Sequence, residues 1–246
     1  MIKKIFCVVL IFVSGLSPAK NFEPSPAQPK TARVKELVSS QGIKFWYHQD
    51  KSTPLVNIRI AFKNSGAAHM ELTKRSVPSL YAWTVLCGSG KYSKEEFQER
   101  LQNISVKLYV NADFDHVAFF YKYPKIVSDE AINLFLITLN SPKFEKKEVE
   151  KKKQSLSYLL ETYQNSPIWW YQNVMMPKML FEDHPYRDGL GNAEDVLKLY
   201  KTDLKKFHEE HIVLDNVDVC IFGDLSEDES VKLADKILKN ISRKKE

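Results

Sequence analysis

Residues 77–88 read Val77-Pro78-Ser79-Leu80-Tyr81-Ala82-Trp83-Thr84-Val85-Leu86-Cys87-Gly88. Proline near the start of this apolar run and glycine at its end predict a short buried helix from Val77 to Cys87, stopped by Gly88. Upstream, Ile43–His48 and Leu55–Phe62 are rich in β-branched and aromatic residues and predict two strands. Downstream, Ser93-Lys94-Glu95-Glu96 has capping-box spacing and predicts a second helix to about Asn103. Val106–Val110 and Phe114–Tyr123 form the clearest strand pair, with Asn111-Ala112-Asp113 between them.

Further helices are expected along the rest of the chain. One is capped by Ser128, with Ala131, Leu134, Phe135 and Leu139 at helical spacing. Others cover Phe144–Tyr163, Pro167–Phe181, Asn192–Leu199 and Thr202–His211. Asp218–Phe222 reads as a buried strand, and Glu227–Asn240 as a last amphipathic helix. Strand pairs separated by helix pairs predict an α+β fold, with helices packed on one face of a mainly antiparallel sheet. No internal repeat and no linker after residue 33 are visible, so a single unit is expected over residues 33–246.

The bulk numbers exclude several classes. With 43% hydrophobic and 27% charged residues the chain is ordinary globular material. A formal charge of +5, mostly scattered, is too mild to argue for nucleic acid. Lys146-Lys147 and Lys151-Lys152-Lys153 alternate with Glu145, Glu148 and Glu150, which reads as a solvated helix face. Lys3 and Lys4, the apolar run Ile5–Leu16 and Ser17-Pro18-Ala19 together predict a signal peptide over residues 1–19. The apolar run is about 12 residues, where a bilayer span needs roughly 20. An exported chain is therefore expected, periplasmic or secreted, with no membrane span after cleavage. Pro24, Pro26 and Pro29 predict a proline-rich arm over residues 20–32. Cys87 and Cys220 either pair or stay as two buried thiols.

Several local patterns occur in a shared order. They include Gly42-Ile43 before a strand, Phe62–Gly66 after one, and Gly88-Ser89-Gly90 after the first helix. Asn111-Ala112 follows, then Ser141-Pro142-Lys143-Phe144 before the Glu/Lys helix. His184-Pro185-Tyr186-Arg187, Asp203–Phe207 and Ile221-Phe222-Gly223-Asp224 complete the series. In this order, over residues 33–240, the chain resembles the amino-terminal homology unit of the insulinase/pitrilysin zinc peptidases, a group that includes mitochondrial processing peptidase.

The resemblance implies a zinc site that this chain has lost. Active members carry His-x-x-Glu-His on the first helix, so that two imidazoles one turn apart grip the metal and the glutamate holds the attacking water. Counting back from Gly88 places those positions on Ser79, Ala82 and Trp83. The third ligand, a glutamate on the long helix, falls at Leu159 when counted back from Ser166-Pro167. One hydroxyl remains where three ligands and a base are required, so no metal and no catalytic residue is expected, although zinc is the family's cofactor. The family's Asn-Ala strand lines the cleft and takes substrate as an added strand. That role maps by resemblance onto Val110, Asn111, Ala112 and Asp113, as peptide-binding candidates.

Other constellations have bland readings. His208-Glu209-Glu210-His211 has its histidines three apart and reads as a solvated helix end. His69-x-Glu71 falls in a loop. Asp113, Asp115 and His116 read as polar residues alternating along an edge strand. His184 fits a structural turn, and Trp169-Trp170-Tyr171 fits helix packing.

Three functions are expected, in this order. The first is a catalytically inactive homologue acting as a non-catalytic subunit, paired with a separate zinc peptidase chain or with itself. The second is a stand-alone module binding peptides or proteins through its edge strand. The third is a metallopeptidase with an unrecognised metal site.

Overall fold

The computed structural model describes residues 33–243. The expected signal segment 1–19 and arm 20–32 lie outside the described residues. The chain runs through β1 (Lys35–Val38), β2 (Lys44–Gln49) and β3 (Leu55–Lys63) into α1 (Val77–Thr84) and α2 (Lys94–Asn103). Strands β4 (Lys107–Ala112) and β5 (His116–Pro124) precede α3 (Ser128–Asn140) and the long α4 (Lys146–Gln164). A continuous helical rod follows, made of α5 (Pro167–Trp170), a π-helical turn over Tyr171–Met175 and α6 (Met176–Leu180). The chain then passes through α7 (Ala193–Leu197), α8 (Lys201–His211), β6 (Val217–Gly223) and α9 (Glu227–Leu238).

The strands form one sheet in the order β1-β2-β6-β3-β5-β4. Only β2 and β6 run parallel; every other pairing is antiparallel. Side-chain alternation makes the sheet one-sided. Val56, Ile58, Ile60 and Phe62 of β3, and Val117, Phe119, Tyr121 and Tyr123 of β5, are buried on the helix side. The opposite face shows Trp46, Tyr109 and Phe222 to solvent. The helices thus pack on one face of a mainly antiparallel sheet, as the order of elements predicts.

Strand β4 is an edge, and its turn determines which way its backbone faces. The carboxylate of Asp113 accepts from the backbone N–H of Asp115 and of His116, each at 2.9 Å. That local turn ends the strand two residues later than the sequence suggests, so Asn111 and Ala112 lie inside β4 rather than between strands. Two further expectations are corrected. Val127, not Ser128, occupies the cap position of α3. Helix α1 ends at Thr84, whose hydroxyl donates to the carbonyl of Leu80, and Gly88 reverses the chain at φ +101°. Strand β1 has exposed and half-exposed residues without alternation, which is why periodicity does not show it. Cys87 and Cys220 are both free thiols.

The loop after β3 is bonded to the β4–β5 turn. Ala67 N–H donates to Asp113 O and Ala68 N–H to Phe114 O, both at 2.9 Å. Gly66 lies against that turn so closely that an added Cβ would stand 2.3 Å from the backbone carbon of Phe114. Replacing Gly66→Ala should therefore lower unfolding free energy by about 1–3 kcal/mol through overpacking. A urea denaturation midpoint equal to that of the parent chain would contradict this contact.

Candidate functional site: a cavity between two helices

Helix α1 is held on nearly every side. Val77, Pro78, Leu80, Tyr81, Ala82 and Thr84 are all buried. Tyr81 has no exposed surface, and its ring centroid lies 4.9 Å from that of Phe207 and 5.7 Å from that of Phe144. Its hydroxyl is 2.9 Å from Nδ1 of His208. The start of the helix is fixed as well. The buried Arg75 guanidinium donates to Pro185 O at 2.8 Å, and Gly191 packs so tightly on Ser76 that a Cβ there would meet Oγ at 2.0 Å.

With Tyr81 turned into the core, Ser79 and Trp83 share the remaining face, because residues four apart on a helix are neighbours. They look across a cavity of about 490 Å³ towards Leu156, Leu159, Leu160 and Tyr163 of α4. The rod closes the far wall with Trp169, Asn173, Val174 and Lys178. Ala82, one step round the helix, opens with Trp83 onto a groove beside β4 that is also lined by Tyr109, Val110 and Lys152. The Lys152 ammonium lies 5.8 Å from the Trp83 ring centroid. The structure therefore brings Ser79, Trp83 and Leu159 together, sets Ala82 beside them, and makes Trp83 a wall common to cavity and groove.

The chemistry of this donor set does not fit a zinc ion. A catalytic zinc takes three nitrogen, oxygen or sulfur ligands. Ser79 offers a neutral hydroxyl. The indole of Trp83 is a donor only, and Ala82 and Leu159 have no lone pairs to give. Among the described residues no group of three His, Cys, Asp or Glu side chains is placed to hold a metal. His69 and Glu71 are exposed in the loop that follows β3.

The edge strand presents its own array. Asp113 N–H donates to His116 O at 3.1 Å, which makes this a hydrogen-bonded pair in the β4–β5 register. Pairs alternate along an antiparallel ladder, so the N–H and C=O groups of Leu108, Val110 and Ala112 point away from β5 towards the free edge. Those of Asn111 point inward to β5, and Asp113 belongs to the turn. Of the four residues expected here, Val110 and Ala112 thus offer backbone groups to a partner.

Three polar or aromatic readings change. His208 is not a solvated helix end; it is largely buried against Tyr81, and burial holds its imidazole down to about 4, against an ordinary value near 6.5. Asp113, Asp115 and His116 do not alternate along a strand. Asp113 makes the turn, Asp115 accepts from the Tyr186 hydroxyl, and His116 Nε2 lies 2.7 Å from an Arg59 nitrogen. Trp169 packs, stacking on Tyr163 at 5.2 Å between centroids, but Trp170 and Tyr171 are 45% and 50% exposed. His184 does take a structural role, accepting from the backbone N–H of Tyr186.

Residues 82–192 match the family model "Insulinase (Peptidase family M16)" and residues 198–246 match "Peptidase M16 inactive domain". The chain is 24% identical over 204 residues to the "Non-peptidase homolog YmxG" of Helicobacter pylori, covering 82% of this chain and 46% of that protein. Its fold is similar to a peptidase M16 inactive domain from Pseudomonas fluorescens, with a TM-score of 0.78 at 18% identity, over 86% of this chain and 51% of that one. It is also similar to a protease from Helicobacter pylori, with a TM-score of 0.76 at 19% identity, over 87% of this chain and 52% of that one. The first half of the periplasmic protease PqqL from Escherichia coli gives 0.74 at 14% identity, over 85% of this chain and 46% of that one. The chain spans about half the length of the relatives it matches.

The buried His208 gives this site a pH signature. Its folded value lies below its unfolded one, so protonation costs the folded state more than the unfolded chain. The contribution is complete above about pH 6.5 and is lost as pH falls towards about 4. Urea unfolding at a series of pH values should show a shallower decline across that window in His208→Gln than in the parent. Parallel curves would contradict the burial of a neutral ring beside Tyr81.

Proposed function

Since this chain belongs to the insulinase (M16) peptidase family, and its motif positions surround one cavity without a metal donor set, we propose that it is a non-peptidase member acting as a binding subunit. The observation that carries this reading is the convergence of Ser79, Trp83 and Leu159 on that cavity. The positions that would hold the metal are neighbours in space, yet their side chains can neither coordinate it nor take a proton from water.

A partner is supported by the outer face of the rod. Ile168, Met179 and Leu180 are 72%, 67% and 62% exposed, and Tyr171, Met175 and Met176 stand beside them, also exposed. An apolar face of this kind, on one continuous element, marks a contact with another protein. The occupant we infer is a second M16-type unit, in a separate peptidase chain or a second copy of this one. The match to relatives that are about twice as long supports that choice. An exported location, as the expected signal segment implies, completes the proposal; among the described residues no helix is long and apolar enough to cross a membrane.

A second reading, a stand-alone peptide- or protein-binding module, is favoured by the outward-facing backbone groups of Leu108, Val110 and Ala112. Edge pairing needs no particular side chains and survives loss of the metal.

Sedimentation velocity tests the first reading. The protein, alone or mixed with an M16 peptidase chain from the same cell, should sediment as a complex at micromolar concentration. The pair Met175→Asp and Met179→Asp should weaken that complex about tenfold or more, equivalent to about 1.4 kcal/mol or more. A monomer under all these conditions, or a complex indifferent to both changes, would contradict it.

A further inference from the structure

The cavity between α1 and α4 carries charge as well as apolar surface. Arg75, Lys178 and Arg187 line it, and the acids in its wall are Asp188 and Asp195. Asp195 is already engaged, accepting from Lys198 at 3.0 Å and from Asn192 at 2.7 Å. Asp188 is left to serve two guanidinium groups, Arg75 at 3.5 Å and Arg187 at 4.0 Å. Lys178 is exposed and forms no ion pair among the described residues. The wall is therefore net positive. We propose that this cavity binds a free carboxylic acid with an apolar tail, of the size of a medium-chain fatty acid. Its carboxylate lies against Arg187 and Lys178, and its tail against Trp83, Leu159 and Trp169. This site goes beyond the binding-subunit reading and needs no partner chain.

Three observations lead to this ligand class. Arg75 is only 5% exposed, and its buried Nε has no acceptor among the described residues. Its Nη1 donates to Pro185 O at 2.8 Å and to Gly189 O at 3.4 Å, bonds that hold the guanidinium without cancelling its charge. A buried cation with so distant a counter-charge favours an added anion nearby. Arg187, in turn, donates to the carbonyl of Glu182, but its carboxylate contacts, to Asp183 and Asp188, are no closer than 3.9 Å. Its charge is open to a nearer partner, and a carboxylate matches both a guanidinium fork and an ammonium group. The rest of the wall is largely leucine and aromatic, with Leu156, Leu160 and Tyr163 beside Trp83, Leu159 and Trp169. A small inorganic anion would leave that surface in contact with water, an apolar cation would meet like charge, and a neutral apolar molecule would lack an anchor. A carboxylate with an apolar tail uses both parts of the wall. At about 490 Å³ the cavity falls within the size range of small-ligand sites.

Calorimetric titration of the full chain with octanoate, octylammonium, 1-octanol and acetate tests this, because the four probes separate head charge from tail. Octanoate should bind about tenfold or more tightly than each of the other three. The double change Lys178→Gln and Arg187→Gln should weaken octanoate about tenfold or more and leave 1-octanol unaffected. Leu159→Glu, which sets an acid against the tail, should weaken octanoate and 1-octanol alike. The probe series on the unaltered protein needs no variant to fold. Octylammonium or 1-octanol binding as tightly as octanoate would overturn the cationic anchor and with it the proposal. Acetate binding as tightly as octanoate would show an adventitious ion only, and would overturn it too, as would absence of binding by octanoate. Pairing through the rod is read separately by sedimentation, so each reading can fail alone.

Discussion

Burial of Tyr81 is the constraint on which the site depends. An eight-residue helix has little stability of its own, and its orientation comes from what it buries. Tyr81 is enclosed by Phe144, just before α4, and by Phe207 and His208 of α8, so two separate segments of the chain agree on the rotation of α1. With that rotation fixed, Ser79 and Trp83 must face α4. The buried Arg75 and the close contact of Gly191 with Ser76 fix the helix along its axis as well. The scaffold thus holds positions 79, 83 and 159 in register whatever side chains they carry.

Scaffold and chemistry therefore separate. The sheet, the buried helix and the edge strand require apolar alternation and a few glycines, and this chain supplies them. Metal chemistry requires a small number of donors at fixed places, whereas Ser79, Ala82, Trp83 and Leu159 offer a hydroxyl, a methyl, an indole and an isobutyl group. The indole of Trp83 spans the boundary between cavity and groove, and Lys152 lies over its ring, which makes an amphipathic wall. Such a wall suits recognition of another chain better than activation of water.

Much of this was legible in the sequence, for definite reasons. Counting back from Gly88 and from Ser166-Pro167 singled out Ser79, Ala82, Trp83 and Leu159, because helix stops are strong local signals; three of these meet at one cavity. The capping box at Ser93 and the alternation in β3 and β5 were equally plain. What escaped was non-local. The burial of His208 depends on Tyr81, 127 residues away, and a charged neighbourhood in sequence concealed it. The position of the β4–β5 turn depends on one carboxylate folding back on two amides, which the strand-like residues Asn111 and Ala112 masked. The exposed side of the rod could not be told from a buried one, since both are apolar in sequence.

The most direct test of the account is calorimetric titration of the dialysed protein with zinc, read alongside hydrolysis of an unfolded peptide with and without chelator. The account predicts no stoichiometric zinc binding in the cavity and no chelator-sensitive cleavage. One zinc bound per chain, lost when Ser79 or Trp83 is changed and accompanied by chelator-sensitive cleavage, would contradict it.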